Sequence, residues 1–181
     1  YDGIGSARPN NIPARLEKYE AAGLKILSLY VGGKLGDKGH TYDPAVAEAI
    51  RQLKGRDAVI ELFVQGGSKN TDAQAVAFVR EIADLAKASG LKVVLYPHAG
   101  FYVDTLSDAV RIARLSERDN VGAMFNLCHF LKVEPSSDLR TTLTDAGDLL
   151  WRASTIGADS DGKNWNTLIQ TLDVGSFDQP T

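Results

Sequence analysis

The stretch LKVVLYPHAGFYVDT, Leu91 to Thr105, decides the fold. Its first half is a nearly continuous apolar, β-branched run, the composition of a strand buried on both faces. A polar end follows, with Tyr96 and His98 just before Gly100. Thr105 with Asp108 three residues on then reads as a capping box that opens a helix, and Leu106, Ala109, Val110 and Ala113 continue as its apolar stripe. Strand, polar loop and helix therefore succeed one another within a single short segment.

Outward from this stretch the same unit repeats. The strands read LKILSLYV from Leu24, AVIELFVQ from Ala58, VGAMFNLC from Val121 and LLWRASTI from Leu149. Their runs begin near Leu24, Asp57, Leu91, Val121 and Leu149, a spacing of about thirty residues that is typical of successive βα units. Between them, Asn11 is expected to cap a helix with Pro13 in its first turn and Gly23 behind it. Asp43-Pro44 opens the next, and Thr71 or Asp72 a third that stops at Gly90. Ser137 or Asp138 starts a further helix through Leu139, Leu143 and Ala146. Nothing resembling a linker interrupts the pattern, so residues 1–181 read as a single domain.

Alternating strands and helices leave an open doubly wound sheet or a closed (βα)8 barrel. Gly32-Gly33 and Gly66-Gly67 lack the remaining residues of a nucleotide-binding loop. Tyr30, Gln65, His98, Asn126, His129 and Asp159 all fall at or just past the carboxyl ends of successive strands, the rim where barrels carry their chemistry. The expectation is therefore an α/β fold of the (βα)8 TIM-barrel type, with parallel strands and outer helices and about six βα units present.

Composition limits the function. The 181 residues carry a formal net charge of −3, with 44% hydrophobic and 24% charged residues. That balance points away from a basic nucleic-acid partner and from long disorder. No run approaches the roughly 18 apolar residues of a membrane span. The single cysteine, Cys128, has no internal disulfide partner, and its parity turns it toward the helix layer as a buried thiol. A cytoplasmic location is favoured over export with a removed leader.

The run LKVVLYPHAGFYVDT, followed by NVGAMFNLCHF, STIGADSDG and GSFD at Gly175 to Asp178, resembles the xylose isomerase-like TIM barrel superfamily, and within it the sugar phosphate isomerases/epimerases. By that resemblance YDGIG at Tyr1 is the tail of the second barrel strand and the five runs are the third to seventh, so the first and eighth strands are missing. Six strands leave two raw edges, which predicts a fragment, or a piece completed by another copy or chain.

The resemblance implies a sugar or sugar phosphate isomerase/epimerase with a small-molecule carbohydrate as substrate. It also implies one divalent ion, Mn, Mg or Zn, held by Glu, Asp, His and Glu on the fifth to eighth strands. Here those positions hold Tyr96, Asn126 and a residue near Ser154, with His129 alone matching, so the metal candidates reduce to His98, Asn126 and His129. His98 and His129, on neighbouring strands, are the candidate acid/base pair, because imidazole titrates near neutrality. Gln65, Tyr96, Asn126, Asp159 and Arg152 are candidate substrate-binding groups. Glu61 is expected to pair with Lys92 inside the barrel. The glycine-rich run Gly32 to Tyr42 reads as a connector or a lid carrying Lys34, Lys38 or His40. Two alternatives stand beside the enzyme: a carbohydrate-binding barrel without turnover, and, more remotely, a metal-dependent apurinic endonuclease-like hydrolase, for which three histidines and a negative charge are poor equipment.

Overall fold

The computed structural model describes residues 2–5 and 7–155. Asp159 and the stretch from Gly175 to Asp178 lie outside the described residues.

The chain opens with β1 (Gly3–Ile4), which pairs in parallel with β2 (Lys25–Ile26) across helix α1 (Ile12–Ala21). The pairing continues past β2, since Ala7 bridges Leu29 in β3 (Ser28–Gly36) and the Tyr30 N–H donates to the Ala7 carbonyl at 2.8 Å. The expected tail of a preceding barrel strand is therefore present beside the first long strand.

After β3 come β4 (Gly39–Tyr42), α2 (Ala45–Gln52), β5 (Val59–Gln65), α3 (Asp72–Ala88), β6 (Lys92–Leu95) and α4 (Leu106–Ser116). The described chain then ends with β7 (Val121–Asn126), α5 (Leu127–Val133), α6 (Leu139–Ala146) and β8 (Leu150–Ser154). The main sheet has the order β4-β3-β5-β6-β7-β8. From β3 to β8 every pairing is parallel and each strand lies next to its successor. A doubly wound sheet reverses its strand order at a switch point. This one keeps a single direction, which is barrel winding, and among the described residues β1 and β8 are not paired with each other.

Two apolar populations follow from the winding. The large one fills the space between sheet and helices, with Leu29, Ile60, Leu62, Phe78, Ile82, Leu95 and Ile112 fully buried. The smaller one, Val59, Val94 and Met124 with Tyr96 and Trp151, lies on the opposite face of the strands, inside the curve. Gly32 belongs to this inner face beside Phe63, its partner in register. A Cβ there would come within 2.3 Å of the Phe63 ring, so only glycine fits.

The helix signals correspond to real devices. Thr71 and Thr105 each form a complete capping box, with Gln74 and Asp108 as reciprocal partners. Gly90 ends the α3 unit at φ 73°. Asn11 differs from expectation: it sits in the left-handed region at φ 58° and makes no side-chain cap. The run from Gly32 to Tyr42 is neither connector nor lid. β3 continues through it to Gly36 and returns as β4, pairing Gly33 with Tyr42 and Leu35 with His40. His40 is turned onto α3, where its Nε2 meets Glu81 at 2.8 Å, and the Tyr42 hydroxyl donates to the same carboxylate at 2.5 Å. The strand expected to run through Cys128 stops at Asn126, and Leu127 begins α5.

Candidate active site

The carboxyl ends of β5, β6 and β7 gather rings. Tyr30 lies 4.9 Å from Phe63 and 5.1 Å edge-on from Tyr96, measured between centroids. Phe63 lies 5.7 Å from Phe101, which stacks on His98 at 3.9 Å and 14°. His98 lies 4.0 Å from His129, and His129 lies 5.7 Å from Tyr96, which closes the circuit. The two histidines thus occupy adjacent places in one ring of aromatic contacts, His98 from the loop after β6 and His129 from the first turn of α5 rather than from the strand expected to carry it. On the outer side the Arg8 guanidinium lies 5.4 Å from the Tyr30 centroid.

One residue, through both of its backbone groups, orders the imidazole pair. His98 Nδ1 is 3.0 Å from the Ala99 carbonyl oxygen, which can only accept, so Nδ1 carries a hydrogen. The Ala99 N–H donates to His129 Nδ1 at 3.3 Å, so that nitrogen presents a lone pair. In its neutral form His98 therefore carries its lone pair at Nε2, and neutral His129 carries its hydrogen at Nε2. The residue between them has assigned opposite tautomers.

The loop that carries Ala99 is held from several sides. Phe101 N–H closes a turn onto the His98 carbonyl at 2.9 Å, and Gly100 takes φ 83°, the left-handed value a type II turn requires at its third residue. His98 N–H reaches the Val103 carbonyl at 3.0 Å, and Tyr102 N–H reaches Val64 on β5 at 3.1 Å. The Tyr102 hydroxyl donates to Asp72 at 2.6 Å, while Arg111 spans Asp72 and Asp108, the latter at 2.6 Å. The Arg111 guanidinium, helped by Tyr102, holds the Asp72 carboxyl below the ordinary carboxylate range. This bracket joins the first turns of α3 and α4 to the loop and fixes the imidazoles without touching them.

Asn126 closes the site at the end of β7. Its Oδ1 accepts from the His129 N–H at 3.1 Å, capping α5, and its Nδ2 donates to the Tyr96 hydroxyl at 2.6 Å. Burial, with Tyr30 and Glu61 nearby, pushes the Tyr96 phenol well above its ordinary pKa. Tyr30 is raised as well, mainly by burial, with Arg8 acting against it.

The other candidates are more scattered. Gln65 ends β5 in register with Lys34. Arg152 is exposed on β8, paired with Met124 and one pleat below Ser154, which pairs with Asn126. Glu61 is buried in the wall at 7% exposure. Lys92, expected to face it, sits beside Val59 in register and holds its ammonium 5.1 Å from the Trp151 centroid. Cys128 is a buried free thiol, now on a helix.

Phe63, Phe101 and the Ala99 backbone are site elements that sequence reasoning missed. Phe101, three residues after His98 across a glycine, carried the only readable signal, the spacing of a tight turn.

A divalent ion of the kind the resemblance implies does not fit these residues. Both Nδ1 atoms are engaged by Ala99, Tyr96 is a neutral phenol, and Asn126 is a neutral amide already held by the His129 N–H and the Tyr96 hydroxyl. Among the described residues, no group of three or more His, Cys, Asp or Glu side chains comes together. Mn²⁺ and Mg²⁺ require charged oxygens, and the described residues of this rim gather none around the imidazole pair.

Residues 45–158 match the family described as Xylose isomerase-like TIM barrel. The chain belongs to that family. Solved structures of similar fold include 3-keto-D-glucoside 4-epimerase, YcjR, from E. coli, at 18% identity and a TM-score of 0.60, with 93% of this chain and 74% of that one covered. An L-ribulose 3-epimerase aligns at 15% identity and a TM-score of 0.65, over 93% and 65% of the two chains. AP endonuclease, family 2, from Brucella melitensis aligns at 16% and 0.61, over 90% and 73%. The chain thus covers only part of the length of each of these proteins, and at such identities the likeness is one of fold. No match to a curated protein sequence reaches significance.

Proposed function

We propose that this rim performs acid/base proton transfer on a sugar or sugar phosphate, as an isomerase or epimerase. One observation carries the reading: the Ala99 backbone leaves His98 with a lone pair and His129 with a hydrogen, 4.0 Å apart between ring centroids. Moving a hydrogen from carbon to carbon needs one group to accept a proton and another to supply one. Neutral imidazoles in opposite tautomers meet that need without any change of net charge. The rings of Tyr30, Phe63 and Phe101 supply apolar faces for the C–H side of a sugar, and Gln65 and Ser154 sit at the rim to meet hydroxyls. The epimerases of similar fold agree with this reading.

The test is deuterium incorporation. The chain is incubated with a panel of ketoses and ketose phosphates in D2O, and exchange at the carbons beside the carbonyl is followed by proton NMR. The expected result is exchange into at least one sugar, reduced about 10²–10⁴-fold by His98→Gln or His129→Gln. Saturable sugar binding with no exchange would refute proton transfer and leave a binding barrel. Exchange undiminished in both variants would refute the assigned residues.

A further inference from the structure

The rim holds one hydroxyl whose hydrogen has its direction set by elimination. The His129 backbone N–H can only donate, and it donates to one atom of the Asn126 amide at 3.1 Å. That contact identifies the oxygen end of the amide, so the atom 2.6 Å from the Tyr96 oxygen is the nitrogen. An NH2 group has no lone pair to offer, so the phenol oxygen accepts at that contact. Its own hydrogen must point elsewhere. Tyr96 cannot swing away, because its ring is fixed edge-on against Tyr30 at 5.1 Å and against His129 at 5.7 Å. The hydroxyl therefore lies beside the imidazole pair with a hydrogen still to give.

We propose that Tyr96 is a catalytic hydrogen-bond donor to the carbonyl oxygen of a bound keto sugar, with Asn126 as the residue that positions it. The inference rests on the acid/base reading above. As the C–H bond beside the carbonyl breaks, its proton passes to His98 Nε2. The electron pair forms the C=C of an enediolate, and the charge gathering on the former carbonyl oxygen is met by the phenolic hydrogen without transfer of that hydrogen. Burial keeps the phenol protonated and the donor intact. The substrate class narrows accordingly: the sugar must present a free ketone, in the open chain of a ketose or as a keto group on the ring, because a sugar whose only carbonyl is closed into a hemiketal leaves the phenol no carbonyl to reach.

Two variants of the full chain test this in the deuterium assay, with sugar binding measured by calorimetry. Tyr96→Phe keeps the ring contacts and removes only the hydroxyl. Loss of one donor to a developing oxyanion predicts exchange turnover about 100-fold lower, with KM and Kd changed by less than about twofold. Asn126→Asp keeps an oxygen for the His129 N–H but puts an acceptor where the NH2 stood, so the phenol turns to donate to the carboxylate. It should lose turnover by a comparable factor, and the double variant should be no slower than the slower single one. The proposal is overturned if Tyr96→Phe keeps exchange within about threefold of wild type, if it loses sugar binding together with exchange, or if the two losses multiply. Wild type without exchange sinks the acid/base reading and this inference together. Exchange that survives Tyr96→Phe sinks this inference alone.

Discussion

Gly32→Ala is the sharpest probe of the inner face. The added Cβ would lie 2.3 Å from Phe63 Cδ2, 2.4 Å from Cε2 and 2.5 Å from Cγ. A clash with the far tip of a side chain can be relieved by rotation near that tip, but Cγ moves only if χ1 leaves its staggered well or the strand itself shifts. Phe63 is also bounded by Tyr30 at 4.9 Å and Phe101 at 5.7 Å, so the ring has little room to yield. Overpacking of this kind costs about 1–3 kcal/mol. For a chain of this size that amounts to a fall in Tm of roughly 2–12 °C. Urea and thermal unfolding followed by circular dichroism would measure it, with Gly32→Ala made both in wild type and in a Phe63→Ala background. Without the ring there is nothing to strike, so the cost in that background should drop below about 0.5 kcal/mol. An equal cost in both backgrounds, or none in wild type, would refute the account of the inner face.

Three further outcomes are expected. Thr105→Ala should cost about 1 kcal/mol in urea unfolding, because it breaks the capping box at the start of α4. The Asp72 carboxyl is held below its ordinary value by Arg111 and Tyr102, so its contribution to stability is complete above the unfolded pKa of about 3.9 and fades as pH falls through the lower folded value. Asp72→Asn should therefore be less stable than wild type near neutrality, and the gap should close in strong acid, as read from urea midpoints across pH. The hydrogen bond to Glu81, with burial and the Glu81 charge adding to it, pushes the Tyr42 phenol up to about 12. Its contribution is present below the unfolded value of about 10 and lost as pH rises through the folded one. Ultraviolet difference titration should show several late-titrating tyrosines, one of which Glu81→Gln brings back toward the ordinary value.

Much of this fold can be read before any coordinates, because the repeat is built from local signals. The capping boxes at Thr71 and Thr105 and the stop at Gly90 involve residues a few positions apart, and nothing distant competes with them. The readings that failed depended on longer-range facts. The hairpin at Gly36–Gly39 looked like open loop because glycines obscure strand alternation, and its closure depends on His40 and Tyr42 finding Glu81 on α3. Lys92 was matched to Glu61 by parity, but the register irregularity between Ala123 and Met124 brings Trp151 within reach of its ammonium. At the rim, the closeness of His98 and His129 followed from the order of the strands that precede them. The means of holding them did not, because a backbone group leaves no mark in a residue pattern.

That last point bears on how the chemistry could persist while the letters change. The partners of the imidazoles are the amide hydrogen and carbonyl oxygen of position 99, which every amino acid except proline supplies in full. Substituting the methyl of Ala99 would leave the tautomers of His98 and His129 as they are. Comparison of side chains alone would pass over the group that sets them.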